Sequence, residues 1–203
     1  MQHHTAPPNQ YPIKALYRDG KIKCNAATHE DGTLYLVAYH ACNYSSGRGS
    51  RKVLTGNVRK SIPPPDNARA RGLLDTPGWG GNKHYWNYEN SHPGDGSPIP
   101  QIQLDTIIES NHVVNEHFGL DWEQTISHSE HSRRKIDPRW NGDNRTAINQ
   151  IREGVENMAI MSKEAQEWYQ KTYEELMKVQ PPTSESWGKA VVEHARDDEK
   201  HND

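Results

Sequence analysis

The sequence is poor in the residues that usually fill a protein core. A single phenylalanine stands among 203 residues, and Leu, Ile and Val number 9, 12 and 9. These four types make up about 15% of the chain, a fraction at which disorder has to be considered. The net charge of −3 is too small to keep a chain expanded, and six Trp with nine Tyr supply large apolar groups. The composition therefore describes a polar, loop-rich globule rather than a disordered chain. No apolar run reaches the length of a membrane span. The opening MQHHTAPP lacks the apolar stretch of a signal peptide, so synthesis in the cytoplasm without an export signal is the expectation. Charge of one sign is also missing as a block: residues 141–203 carry a net −5 and residues 1–140 a net +2, and neither describes a nucleic-acid-binding surface. Cys24 and Cys42 are the only cysteines; they match no zinc spacing, and no disulfide is expected between them.

What is present has a clear order along the chain. IKCNAATHEDGTLYLVAY reads as two strands joined at Asp31-Gly32, a dipeptide suited to the positive φ of tight hairpin turns. Residues 40–82 are dense in Gly, Ser, Pro, Asn and Arg and read as a long surface excursion. KHYWNYEN, residues 83–90, predicts a strand ending near Glu89. The apolar period then changes. Leu104, Ile107, Ile108, Val114 and Phe118 mark a helix with Gly119 at its stop. A strand through Thr125 and Ile126 is expected to end at His128. A second helix is marked by Ala147, Ile148, Ile151, Val155 and Met158, and a third by Ala165, Trp168, Tyr169, Leu176 and Val179. Strands followed by strand–helix alternation predict a mixed α/β domain over residues 1–158. Residues 159–203 are expected to form an acidic helical appendage with a frayed tail.

Twelve histidines invite a metal reading, and position singles out two of them. His3 and His128 each lie at the end of a short strand-like segment, where neighbouring strands can bring them side by side. Asp137, nine residues beyond His128, adds an oxygen ligand. Two histidines and a carboxylate leave a fourth position open for water, as in catalytic rather than structural zinc sites. A disordered end or a tag remnant is the competing reading of His3. Lys135 stands two residues before Asp137, where an ammonium near the same substrate stabilises a developing oxyanion. For Arg133 and Arg134 a solvated basic turn is the default. Glu89 closes an aromatic strand before a glycine-rich turn; it is either a surface strand residue or an acid placed to take a proton from water.

Four separated segments together resemble one family. HHTA at His3–Ala6, YWNYENSHPGDG at Tyr85–Gly96, the helix after PIPQIQLD, and HSEHSRRKIDP at His128–Pro138 look like the zinc-dependent N-acetylmuramoyl-L-alanine amidases (type 2 amidases) of the peptidoglycan-recognition fold. The similarity is greatest to phage endolysins, and it spans roughly residues 1–158. It implies a mixed central β-sheet flanked by helices, Zn2+ on His3, His128 and Asp137, and Glu89 and Lys135 as the catalytic residues. It also implies bacterial peptidoglycan as the partner, with neither nucleic acid nor membrane insertion, and a monomer made in the host cytoplasm that acts at the cell wall. A non-catalytic peptidoglycan-binding module of the same fold is the alternative. The chain departs from the pattern in several places. Only Met1 and Gln2 precede His3, where the family has a full strand. Asn87 replaces a glycine two residues before the acid. His131 stands where the family has tryptophan, which makes it an alternative ligand.

Overall fold

The computed structural model describes residues 1–5, 16, 22–39, 42, 46–58, 75–158 and 171. Within them the chain is mixed α/β, with one four-stranded sheet, a two-stranded sheet and four α-helices. The third expected helix and the appendage lie outside the described residues, apart from Lys171.

The main sheet is built from β1 (Gln2–His4), β2 (Ala26–Thr28), β3 (Leu34–Leu36) and β6 (Tyr88–Asn90), in the order β1-β6-β2-β3. β2 and β3 form the antiparallel hairpin the sequence predicts, with Gly32 at φ 87° in its turn. That backbone region is one side chains rarely adopt, which is why Asp-Gly marks the position. β6 pairs in parallel with both β1 and β2. The register sets His3, Glu89, Ala27 and Tyr35 in one row across the sheet. Residues in such a row share a face, because side chains alternate along each strand. His3 is thus an ordered strand residue with 2% of its surface exposed, and the reading of it as a disordered end is wrong.

α2 (Gln101–Phe118) covers the other face. Tyr88 and Ala26 of the sheet pack there with Val113 and Val114 of the helix. Gly119, at φ 63°, ends α2 as expected: its own N–H and that of Leu120 return to the Glu116 and Asn115 carbonyls. Phe118 departs from expectation, since it is exposed rather than part of the buried face. α4 (Asn144–Asn157) is capped by the Asp143 carboxylate accepting from Thr146 N–H at 2.8 Å. Its Ala147, Ile148, Ile151 and Val155 join Leu104, Ile107, Ile99 and Trp140 in the largest apolar cluster.

Elsewhere the interior is polar, which accounts for the scarcity of aliphatic residues. Beneath the sheet Gln2 donates to Asn111 of α2 (2.8 Å), Asn90 donates to Gln2 (3.1 Å), Thr28 donates to Asn90 (2.8 Å), and Gln103 of α2 donates to the Ser91 carbonyl (3.0 Å). Each bond satisfies a group whose burial alone would cost free energy.

Two expectations need correction. The stretch expected to be a surface excursion contains α1 (Arg51–Val58), with Val53 and Leu54 buried, and a second small sheet of β4 (Arg48–Gly49) and β5 (Thr76–Gly80). The strand expected to end at His128 is reduced to a single bridge between Gln2 and Ser127. His128 instead opens a one-turn helix, α3 (His128–His131). Ser127 and Glu130 form a reciprocal capping box there: Glu130 N–H donates to Ser127 Oγ (3.1 Å), and Ser127 N–H donates to Glu130 Oε2 (2.8 Å). Capping satisfies two donors that a helix start leaves unpaired, and this outweighs the weak strand tendency of Thr125-Ile126.

The same Glu130 carboxylate receives both terminal nitrogens of Arg152 from α4, each at 2.8 Å, while Arg152 Nε–H donates to the Thr125 carbonyl at 2.9 Å. Burial pushes the Glu130 carboxyl above its ordinary value, against the pull of Arg152. Substituting Arg152→Met should leave that carboxylate buried without its partner. The expected cost is about 3–5 kcal/mol in a urea unfolding titration; a change below about 1 kcal/mol would mean the pair contributes little to stability.

Candidate metal centre

His3, His128 and Asp137 offer ligand atoms that all lie within 4.8 Å of one another. His3 Nδ1 is 3.1 Å and His128 Nδ1 2.9 Å from the same oxygen, Asp137 Oδ2. The two imidazoles meet edge to face with centroids 4.4 Å apart. Three elements bring them together. β1 carries His3. The Gln2–Ser127 bridge lays the start of α3 beside β1, and Gln2 N–H donates to the Ile126 carbonyl at 2.8 Å. Asp137 returns to α3 through Ser129 N–H, which donates to the Asp137 carbonyl at 2.9 Å.

The far side of each ring decides which nitrogen faces the centre. His128 Nε2 is 3.0 Å from the Ser46 carbonyl oxygen, and His3 Nε2 is 3.2 Å from Asn87 Oδ1. A carbonyl oxygen only accepts, so both Nε2 atoms carry hydrogen, and each ring turns its Nδ1 towards Asp137. With hydrogen on Nε2 alone, two nitrogen lone pairs and a carboxylate oxygen would converge there. Protonating both rings would set two positive charges side by side against one carboxylate. One divalent cation satisfies all three atoms at once, and imidazole nitrogens with a carboxylate oxygen are ordinary zinc donors. The residues therefore fit a metal ion. Burial opposes ionisation of Asp137, but its contacts with His128 and His3 outweigh burial and hold the carboxyl well below the usual carboxylate range.

Glu89 stands beside His3 in the strand register. It is partly accessible but closely surrounded by protein. Burial pushes its carboxyl up to about 7; Asp137 adds to the rise, while His3, Lys135 and Lys23 oppose it. An acid near neutrality can both take and return a proton at physiological pH. Lys135 is exposed on the loop between His128 and Asp137, and its charge acts on Glu89. The five residues singled out in the sequence are thus gathered at one end of the sheet.

His131 does not belong to the ligand group. Its fully buried ring packs against Gly49, where an added Cβ would collide with the imidazole, and edge-on to Tyr85 at 5.3 Å. It is a packing residue, and burial lowers its pKa to about 3. Cys24 and Cys42 are both buried and free. The basic turn is less solvated than expected at one position. Asp75 accepts from Arg134 Nε–H (2.6 Å), Ser132 Oγ–H (3.1 Å) and Arg133 N–H (3.2 Å), which ties the loop to the start of β5.

Residues missed in the sequence are mostly supports: Ser127, Glu130 and Arg152 beneath His128, Asp75 beneath the loop, and Ser46 and Asn87 behind the rings. Ser127-His128-Ser129-Glu130 carries a capping-box signature that would have revealed the first pair. Nothing local marks the others. No protein-family model matches the chain, and no match was found among curated proteins or solved structures.

Zinc added to chelator-treated protein should raise its melting temperature, by the equivalent of about 2.7 kcal/mol at a hundredfold excess over Kd. The shift should vanish in His128→Ala; an unchanged melting temperature in the wild-type chain would reject the triad as a metal site. In the same metal-free protein, Glu89 binds more protons folded than unfolded between its ordinary 4.5 and about 7. Stability should therefore fall as pH rises through that window. Thermal melts of Glu89→Gln should show a shallower fall than wild type, and parallel curves would mean that Glu89 titrates normally.

Proposed function

We propose that this protein is a zinc-dependent N-acetylmuramoyl-L-alanine amidase of the peptidoglycan-recognition fold. Its reaction is hydrolysis of the amide bond between the lactyl group of N-acetylmuramic acid and L-alanine in bacterial peptidoglycan, in the manner of a phage endolysin acting at the host wall. The observation that carries the reading is the convergence of His3, His128 and Asp137, whose first and last members are 134 residues apart. The segments on which the family resemblance rests are the ones that meet. A carboxyl raised to about 7 beside them is what hydrolysis of an amide requires and simple binding does not.

Zinc on the three ligands supplies Lewis acidity and lowers the pKa of water towards about 7. The chain's own residues handle the protons and the charge. Glu89, ionised in part at neutral pH, accepts the proton of the attacking water and delivers it to the departing amine, so the amine leaves neutral. The Lys135 ammonium is available to the developing oxyanion, and its loop is held by Asp75 through Arg134 and Ser132. The Nε2–H groups of His128 and His3 are engaged by Ser46 and Asn87, which leaves Nδ1 of each ring facing the metal position.

The non-catalytic alternative drew on the shortness of the segment before His3. That support weakens, because β1 forms and pairs on both sides despite its length. Release of new N-terminal alanine from purified sacculi should be measured with and without a chelator. Chelator-sensitive release is expected, with Glu89→Ala slower by about 10²–10⁴-fold while its melting curve stays cooperative. Protein that pellets with sacculi yet releases nothing would instead be a binding module.

A further inference from the structure

A hydrogen-bonded relay passes behind the two histidines, and we infer that Asn87 is its key: a positioning residue that holds the His3 imidazole in its metal-binding tautomer and, through Ser46, helps to orient His128. The inference rests on the metal reading of the triad. His3 Nε2–H reaches Asn87 Oδ1 at 3.2 Å. Ser46 Oγ–H donates to that same Oδ1. The Ser46 carbonyl, in turn, accepts from His128 Nε2–H at 3.0 Å. With Asp137 on the near side of both rings, the five residues close a loop. One amide oxygen therefore connects the outward nitrogens of two ligands that come from opposite ends of the domain.

The amide's orientation is not arbitrary. Asn87 Nδ2 donates to the Tyr85 carbonyl at 2.8 Å, and a carbonyl accepts only from the nitrogen end, so the oxygen is the end that faces Ser46 and His3. The backbone of Asn87 is held separately. Its N–H donates to Asn25 Oδ1 at 2.9 Å, and its carbonyl accepts from Asn25 N–H at 2.8 Å. Residue 87 is fully buried, so no water is positioned to take over the acceptor role. A glycine there, as the family resemblance leads one to expect, would leave His3 Nε2–H without this partner. Partners of this kind fix the ring and its tautomer, and they typically change metal affinity about 10- to 100-fold.

Because the Asn25 bonds involve only the backbone of residue 87, Asn87→Ala preserves them and removes the relay together with the Nδ2 bond to the Tyr85 carbonyl. Zinc affinity of the full chain, measured by competition with a chromophoric chelator, should fall about 10- to 100-fold in Asn87→Ala. Imidazole ¹⁵N shifts of the chelator-treated proteins supply a readout that loss of packing would not imitate. In wild type His3 should carry hydrogen on Nε2 with Nδ1 bare; in Asn87→Ala that preference should be lost while His128 keeps it. Equal zinc affinity in wild type and Asn87→Ala overturns the inference and leaves the metal reading standing. A wild-type chain that binds no zinc overturns the metal reading, whereas Nδ1-protonated His3 in wild type overturns the relay independently of any metal.

Discussion

His3 Nδ1 and His128 Nδ1 lie 3.1 and 2.9 Å from one oxygen, Asp137 Oδ2, and with hydrogen on Nε2 alone these three groups would repel one another unless a cation lay among them. Much of the described structure is arranged around holding that arrangement in place. Strand β1 presents His3, a capping box starts the helix that presents His128, and the first turn of that helix binds the backbone of Asp137. The buried Glu130–Arg152 pair couples the helix start to α4, and through α4 to the largest apolar cluster. A packing defect between α2 and α4 would therefore reach the His3–His128–Asp137 triad through only a few covalent and hydrogen-bonded links.

The chain's energetic economy follows from its composition. With few aliphatic side chains, apolar burial is concentrated between α2 and α4, and between α2 and the sheet. The remaining interior consists of Gln, Asn, Thr, Ser and His side chains that bond to each other and to the backbone. Such an interior specifies geometry well, because a displaced donor loses its only acceptor, but it contributes little net stability per bond. Binding energy at a metal site that the unfolded chain lacks is added directly to folding, and it would compensate for the thin core. The same logic explains why the polar groups nearest the site, Ser46 and Asn87, are among the most buried.

How much was legible in the sequence varied with the range of the forces involved. The β2–β3 hairpin and α2 and α4 were readable, since Asp31-Gly32, the apolar period and Gly119 act within a few residues. Helix α1 was not, because RKVLTGNV offers two buried apolar residues and a glycine in a stretch otherwise rich in turn residues. His128 falls in the triad with His3 and Asp137, on a helix start rather than on the strand expected. The weak strand pattern before it was read over the Ser-x-x-Glu cap that prevails. His131 looked like a ligand by type, and its ring is taken up instead by the space that Gly49 leaves open.

By itself the sequence determined the β2–β3 hairpin, α2 and α4, and the inventory of chemistry-bearing side chains: His3, Glu89, His128, Lys135 and Asp137 in that order. Local sterics, backbone capping and side-chain periodicity need no distant partner, so they can be read from a single strand of text. Only the tertiary structure decided which of twelve histidines face one carboxylate, which nitrogen of each faces it, and why Glu89 is raised towards neutrality. Those properties arise from parallel pairing between β1 and β6, from a single bridge at Ser127, and from burial. Each depends on groups far apart in the chain whose encounter no local pattern encodes.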